Sequence, residues 1–145
     1  MKPMNDSHPY YIANRGYFKG IRHWHEFDAF WEELESLNDG QWYVYDTHKE
    51  PPTTAHDKPA FSEFLSMTNQ LLHEQHQEDY CGIVYVDNKQ APEFIKIYDP
   101  ANLGVVCGFS DNPPLPGWIV SRITPCDLRK PEPASFWKKC LHRFS

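Results

Sequence analysis

The sequence predicts one α+β domain, a two-layer sandwich in which a mostly antiparallel sheet of about five strands carries two helices on one face, with a short C-terminal helix in addition. Three observations lead to this class. The chain has 145 residues, the size of one ordinary domain. Two segments repeat apolar residues at helical spacing, and five shorter segments are rich in β-branched and aromatic residues. Their order, helix, strand, helix and then four strands, favours separate layers of helices and strands.

The first predicted helix ends at the turn Asn38–Asp39–Gly40, where glycine can adopt positive φ. Its apolar side chains recur every three or four residues and so form one stripe of a helix. They are Phe27, Phe30, Trp31, Leu34 and Leu37. Residues 41–47 are rich in aromatic side chains and predict a strand. We expect this strand either at the edge of the sheet or paired in parallel with a later strand through the second helix.

The second predicted helix begins at Asp57–Lys58–Pro59, because an aspartate can cap the first turn and proline is tolerated there. Its inward stripe consists of Phe61, Phe64, Leu65, Thr68, Leu71 and Leu72. Turn-forming residues then separate four apolar runs, and this spacing is typical of an antiparallel meander. The four predicted strands are 80–87, 93–98, 105–110 and 117–124.

Charge divides the chain into a basic N-terminal arm, an acidic domain and a basic tail. Residues 1–22 have a net charge of +3, residues 23–127 of −13 and residues 128–145 of +4. The tail predicts a short amphipathic helix whose apolar stripe is Phe136, Trp137, Cys140, Leu141 and Phe144. Such a helix can dock on the acidic domain, bind a partner or lie on a membrane surface.

The composition argues against several functional classes. Hydrophobic residues make up 40% of the chain, which is more than a disordered chain carries. The acidic body repels phosphate, so we expect no binding to nucleic acid. We find no apolar run of about 18 residues and no secretory signal, and we therefore expect a cytoplasmic protein without a membrane span. The four cysteines, without a C-x-x-C pair, do not predict a zinc ribbon or a thioredoxin-type motif.

Histidines form the candidate metal site. His73 and His76 are three residues apart on the second helix, so both imidazoles can face one point. His23 and His25 flank Trp24 and can complete the site if this segment lies beside the end of the second helix. We interpret the four as surface histidines and expect no cofactor. The alternative interpretation is a site for zinc or another divalent transition metal.

Catalytic motifs are missing from the sequence. It contains no nucleophile elbow, phosphate loop or dinucleotide-binding fingerprint. Cys81 and Cys107 lie in apolar runs and are interpreted as buried small hydrophobic residues. Cys126 precedes Asp127, whose carboxylate raises the pKa of the thiol and disfavours a thiolate. We therefore expect a protein that is not an enzyme, with a metal- or cysteine-dependent enzyme as the alternative.

Two loops between predicted strands have the composition of recognition loops. Residues 98–104 combine an aspartate that can form an Asx turn with a proline and a glycine, and residues 111–118 carry three prolines before a tryptophan. Rigid loops lose little entropy on binding, although the same residues can simply fix strand register. We interpret the protein as a small binding or accessory module for a protein partner. The predicted binding surface comprises Asp99, Asn102, Pro114, Leu115, Trp118 and Arg122.

Overall fold

A computed structural model describes residues 8–101 and 115–128. The predicted α+β class is confirmed: these residues form three helices and one five-stranded antiparallel sheet. The elements are α1 (Pro9–Asn14), β1 (Lys19–Gly20), α2 (Trp24–Ser36), β2 (Tyr43–Asp46), α3 (Lys58–Gln75), β3 (Val84–Val86), β4 (Phe94–Ile97) and β5 (Trp118–Ser121). The predicted strand 105–110, the predicted tail helix, Asn102 and Pro114 lie outside the described residues.

The strand order is β1-β3-β4-β5-β2, and all neighbouring strands are antiparallel. Of the two placements predicted for residues 41–47, the structure shows the edge, where β2 pairs with β5. β4 pairs directly with β5, so these two strands are neighbours although a further strand was predicted between them in the chain. The opposite edge is β1, which the sequence did not predict because two residues are too few to show an alternating pattern.

The main core lies between the sheet and the helices α2 and α3. Both predicted helical stripes are buried there, apart from Leu37 and Leu71, which are half-buried. The indole N–H of Trp31 joins the two helices, because it donates to the Leu65 carbonyl (3.0 Å) and to the Thr68 hydroxyl (3.1 Å). The ring of Trp42, the residue directly before β2, stacks on Phe61 of α3, with the ring centroids 5.8 Å apart.

A second, smaller cluster covers the opposite face of the sheet. Its fully or almost fully buried members are Tyr10 of α1 and Tyr45, Phe94 and Ile119 of the sheet. Residues 8–22, the described part of the basic N-terminal segment, therefore form α1 and β1 and pack against the strands. Within the described part of the chain, no helix has the length and apolar character that crossing a bilayer requires.

Candidate functional site

The predicted partner surface is divided between the two ends of β5. Trp118 begins this strand, opposite Ile97 and Asp46 of its neighbours, whereas Arg122 follows the last residue of the strand. The two positions are four residues apart in the chain, which in an extended strand corresponds to about 13 Å. Of the described members, Asp99, Leu115 and Trp118 belong to one end of the sheet and Arg122 belongs to the other.

At the Trp118 end, two loops contact each other. The Asp99 carboxylate accepts a hydrogen bond from the backbone N–H of Ala101 (2.9 Å), which forms the predicted Asx turn. A Cβ atom added to Gly117 would lie 3.0 Å from the Cβ of Asp99, so glycine permits this close approach. Leu115 is 38% exposed, but the Trp118 ring is half-buried against the main core. This end of the sheet therefore exposes one apolar side chain rather than a tryptophan anchor.

Arg122 is occupied by contacts within the fold. Its guanidinium donates to Asp39 (2.6 Å) and to the Leu37 carbonyl (3.3 Å), and it lies 4.1 Å from the centroid of the Trp42 ring. The hydrogen bond from Arg122 holds the pKa of the Asp39 carboxyl below its usual value. This side chain joins the end of α2 to the sheet.

The predicted metal candidates gather around one tryptophan. The Trp24 ring centroid is 4.4 Å from that of His73 and 6.0 Å from that of His76, and its indole N–H donates to the Glu78 carbonyl (2.9 Å). The start of α2 thus lies beside the end of α3, as the metal hypothesis requires. His23 and His25, however, stack on each other, with centroids 5.4 Å apart.

One imidazole nitrogen of each α3 histidine has a partner within the fold. His73 Nε2 lies 2.8 Å from the Asp28 carboxylate, and His76 Nε2 lies 2.7 Å from the Cys81 carbonyl. Among residues 8–101 and 115–128, no three His, Cys, Asp or Glu side chains are grouped so that they could hold an ion. The structure therefore brings the histidines near one ring without forming a coordination site from these residues.

The two described cysteines are free thiols. Cys81 is fully buried, as predicted, and burial raises its pKa. Burial also raises the pKa of Cys126, with a smaller contribution in the same direction from Asp127, while a hydrogen bond with Tyr11 opposes the shift. Both thiols therefore favour the neutral form, which is a poor nucleophile. Cys107 and Cys140 lie outside the described residues.

A cleft beside the edge strand β1 is the surface that the sequence did not reveal. It has a volume of about 750 Å³ and is lined by residues 19–23 together with Tyr80, Gly82 and Tyr85. Tyr80 is 59% exposed, and Tyr17, just before β1, is 96% exposed. Two large aromatic side chains therefore face solvent close to an edge of the sheet.

The backbone of β1 has one side free of neighbouring strands in the described structure. The Ile21 N–H donates to the Val84 carbonyl (2.8 Å), and the Ile21 carbonyl accepts from Gly82 (2.9 Å). Because hydrogen-bonding groups alternate along an antiparallel strand, the N–H and C=O of Gly20 point away from β3. Gly20 lies directly opposite Tyr85, and an added Cβ would be 3.1 Å from the Tyr85 ring.

Two cationic side chains, those of Lys19 and Arg22, lie at this edge together with the imidazole of His23. The side chains of Lys19, Arg22 and His23 are exposed, and none forms an ion pair with another described residue. Sequence reasoning assigned the positive charge of residues 1–22 to an arm. Only the pairing of Lys19 and Gly20 with β3, more than 60 positions away in the chain, places this charge on a strand edge. No family model, no curated protein and no solved structure matches this chain.

Proposed function

We propose that the protein is a small protein-binding module that holds an extended segment of its partner along the edge strand β1. The observation that carries this proposal is the open edge itself: Gly20 directs backbone donor and acceptor groups away from β3. Exposed strand edges bind extended peptides through main-chain hydrogen bonds, while pockets beside the edge select side chains.

The exposed aromatic residues support the same surface. Tyrosine contributes a large apolar area, a hydroxyl group and few rotatable bonds, and it is enriched at protein interfaces. Tyr80 lines the cleft and is 59% exposed, and Tyr17, two residues before β1, is 96% exposed, whereas Leu115 at the loop end of the sheet is 38% exposed. The cleft is also concave, so it can enclose a side chain of the partner more fully than a flat surface can.

A second surface for the same function is the end of the sheet formed by Asp99, Leu115 and Trp118. The contact between the Asp99 turn and Gly117 supports it, because it fixes two loops side by side. It ranks below the β1 edge, since Trp118 packs against the core and Arg122 is engaged with Asp39.

Site-specific photo-crosslinking in the native host tests the proposal. A photoreactive phenylalanine analogue replaces Tyr17, Tyr80 or Leu115, and Met67 on the exposed face of α3 serves as the control because it is 50% exposed. We expect a discrete crosslinked protein from positions 17 and 80 and none from position 67. Adducts from position 115 alone would contradict binding at β1 and place the partner at the end of the sheet formed by Asp99, Leu115 and Trp118. Identical patterns at all four positions, or no adduct at any, would contradict a specific binding module.

A further inference from the structure

We infer that the β1 edge binds an acidic, extended segment of another protein, which adds to the sheet as a sixth strand. This inference rests on the proposed function and specifies the chemistry of the partner. Three features of the edge support it: the direction of its backbone groups, the aromatic rings beside it and its local charge.

The backbone groups set the binding mode. A strand added beside β1 would pair with the outward N–H and C=O of Gly20, the same groups that a neighbouring strand would use inside the sheet. Side chains of an added strand alternate between the two faces. Those on the cleft side would lie among Tyr80, Tyr85 and the exposed backbone of β1.

Glycine keeps the rings close to the backbone. The Tyr85 ring lies over Gly20, and the Tyr80 ring lies over Gly82, where an added Cβ would come within 2.9 Å of two ring atoms. The two tyrosines therefore border the cleft directly, with no intervening side chain from these glycines. A partner residue entering the cleft would contact aromatic surface.

Local charge selects the partner. Lys19 and Arg22 are exposed and unpaired among the described residues, although residues 23–127 carry a net charge of −13. The carboxylates of Glu26 and Asp87 lie close to this edge, but Glu26 pairs with Lys89 and Asp87 accepts three backbone N–H groups. Lys19 and Arg22 therefore remain available to a partner within the screening distance of about 8 Å at physiological salt. Carboxylates in an added strand would pair with them.

The same charges disfavour two other occupants. A second copy of the chain would bring its own Lys19 and Arg22 against the first, and exposed lysines on edge strands oppose such self-pairing. The chain's own C-terminal segment has a net charge of +4 and is repelled for the same reason. An acidic segment of a different protein is therefore the occupant that complements this edge.

Two peptide pools provide the probe. One pool contains acetylated octapeptides with glutamate at alternate positions and random residues between, and the other has lysine at the same positions. Amide hydrogen exchange of the full-length protein is followed at Gly20. We expect rapid exchange in the free protein, slowing by at least tenfold with the glutamate pool, and no slowing with the lysine pool. Slow exchange at Gly20 in the free protein, or equal slowing by both pools, would contradict the inference.

A pair of variants isolates the backbone hydrogen bond. Gly20→Ala and Gly20→Pro both add a Cβ near Tyr85, but only proline removes the outward N–H, and proline is tolerated at such positions of edge strands. We expect Gly20→Pro to bind the glutamate pool at least tenfold more weakly than Gly20→Ala. Equal binding would contradict strand addition.

A charge-reversal variant covers the case in which Gly20→Pro fails to fold. Lys19→Glu combined with Arg22→Glu changes exposed side chains only and should reverse the preference from the glutamate pool to the lysine pool. An unchanged preference would contradict the acidic partner. Crosslinks from positions 17 and 80 that persist in Gly20→Pro would contradict strand addition and leave a protein-binding module whose partner lies beside β1 without pairing with its backbone. Absence of those crosslinks in the unsubstituted protein would contradict the proposed function itself.

Discussion

At the scale of single residues, two glycines with positive φ hold different local structures. Gly40 ends the turn after α2 with a φ of 77°, and Gly82 precedes β3 with a φ of 66°. An added Cβ at Gly40 would meet no atom closer than 3.6 Å, whereas at Gly82 it would lie 2.9 Å from the Tyr80 ring. An alanine at either position would therefore be strained by the positive φ, but only at Gly82 would its Cβ also clash with a neighbouring side chain.

Replacing these glycines by alanine should separate the two costs. A left-handed conformation costs an alanine about 1 kcal/mol, so Gly40→Ala should lower the free energy of unfolding by about that amount. Gly82→Ala should lower it by about 2 kcal/mol, because the Tyr80 ring must also move. Urea denaturation measures both. Adding Tyr80→Ala should restore part of the loss in Gly82→Ala and none in Gly40→Ala, and equal losses in the two single variants would contradict this steric contribution.

One carboxylate should contribute to the pH dependence of stability. The Lys89 ammonium group donates to Glu26 and holds its pKa below the usual value, with help from the backbone N–H of Arg22. In the unfolded chain the pKa of a glutamate is about 4.3, so ionised Glu26 stabilises the fold above that pH. This contribution is lost as the pH falls through the lower pKa of Glu26 in the folded protein. Glu26→Gln should therefore flatten the acid side of a stability profile. Glu32→Gln, which removes an exposed carboxylate of α2, is the control. Its free energy of unfolding should fall more steeply on the acid side than that of Glu26→Gln.

Single residues also show where sequence reasoning ends. The Asx turn at Asp99, the burial of Cys81 and the cap at Asp57 depend on neighbours in the chain and were predicted. Arg122 was placed on a partner surface, but its carboxylate partner, Asp39, is 83 positions away in the chain. A residue type indicates what a side chain can bind, while only the fold determines which group is beside it.

At the scale of elements, length determines how well the sequence predicts structure. α2 and α3 have 13 and 18 residues and repeat their apolar residues over several turns, so both were predicted. α1 has six residues and β1 has two, which are too short for a periodic pattern, and neither was predicted. Since β1 forms the proposed binding edge, the best candidate site lies where sequence patterns carry least information.

The start of α3 offers a test of its cap. Asp57 accepts a hydrogen bond from the Ala60 N–H (2.9 Å), and Pro59 lies in the first turn. Asp57→Ala should lower the free energy of unfolding by about 1 kcal/mol, because an amide of the first turn loses its acceptor. Asp57→Asn keeps an acceptor oxygen and should cost only a few tenths of a kcal/mol. Equal destabilisation in urea would assign the effect to charge rather than to the cap.

At the scale of the whole molecule, the sheet has cores on both faces. The helices α2 and α3 cover one face, and α1 with the segment after β5 covers part of the other. Lys96 joins α1 to β4, because its ammonium donates to the Asn14 carbonyl (2.8 Å) and lies 4.1 Å from the centroid of the Phe18 ring. These contacts fix α1 and Phe18 to the sheet, and β1 follows them directly in the chain. We therefore expect the position of the proposed binding edge to depend on α1.

Truncation of one α1 side chain tests this role. Tyr10 is fully buried, with its ring centroid 5.0 Å from that of Phe94 and 6.3 Å from that of Tyr45. Tyr10→Ala should lower the free energy of unfolding by about 3 kcal/mol, because it leaves a cavity against the sheet. Ile12→Ala is the matched control on the same helix, since Ile12 is 55% exposed, and it should change stability by no more than about 0.5 kcal/mol.

The two variants also distinguish a local from a global role of α1. If α1 packs as an integral part of the fold, Tyr10→Ala should lower the midpoint of one cooperative transition that is seen equally by tryptophan fluorescence and by far-ultraviolet circular dichroism. The described tryptophans lie outside the Tyr10 cluster, at positions 24, 31, 42 and 118, so their fluorescence reports on the other face of the sheet. If α1 instead unfolds independently of the sheet, Tyr10→Ala should leave the midpoint seen by tryptophan fluorescence unchanged. The smaller cluster around Tyr10 would then contribute nothing to the stability of the main core.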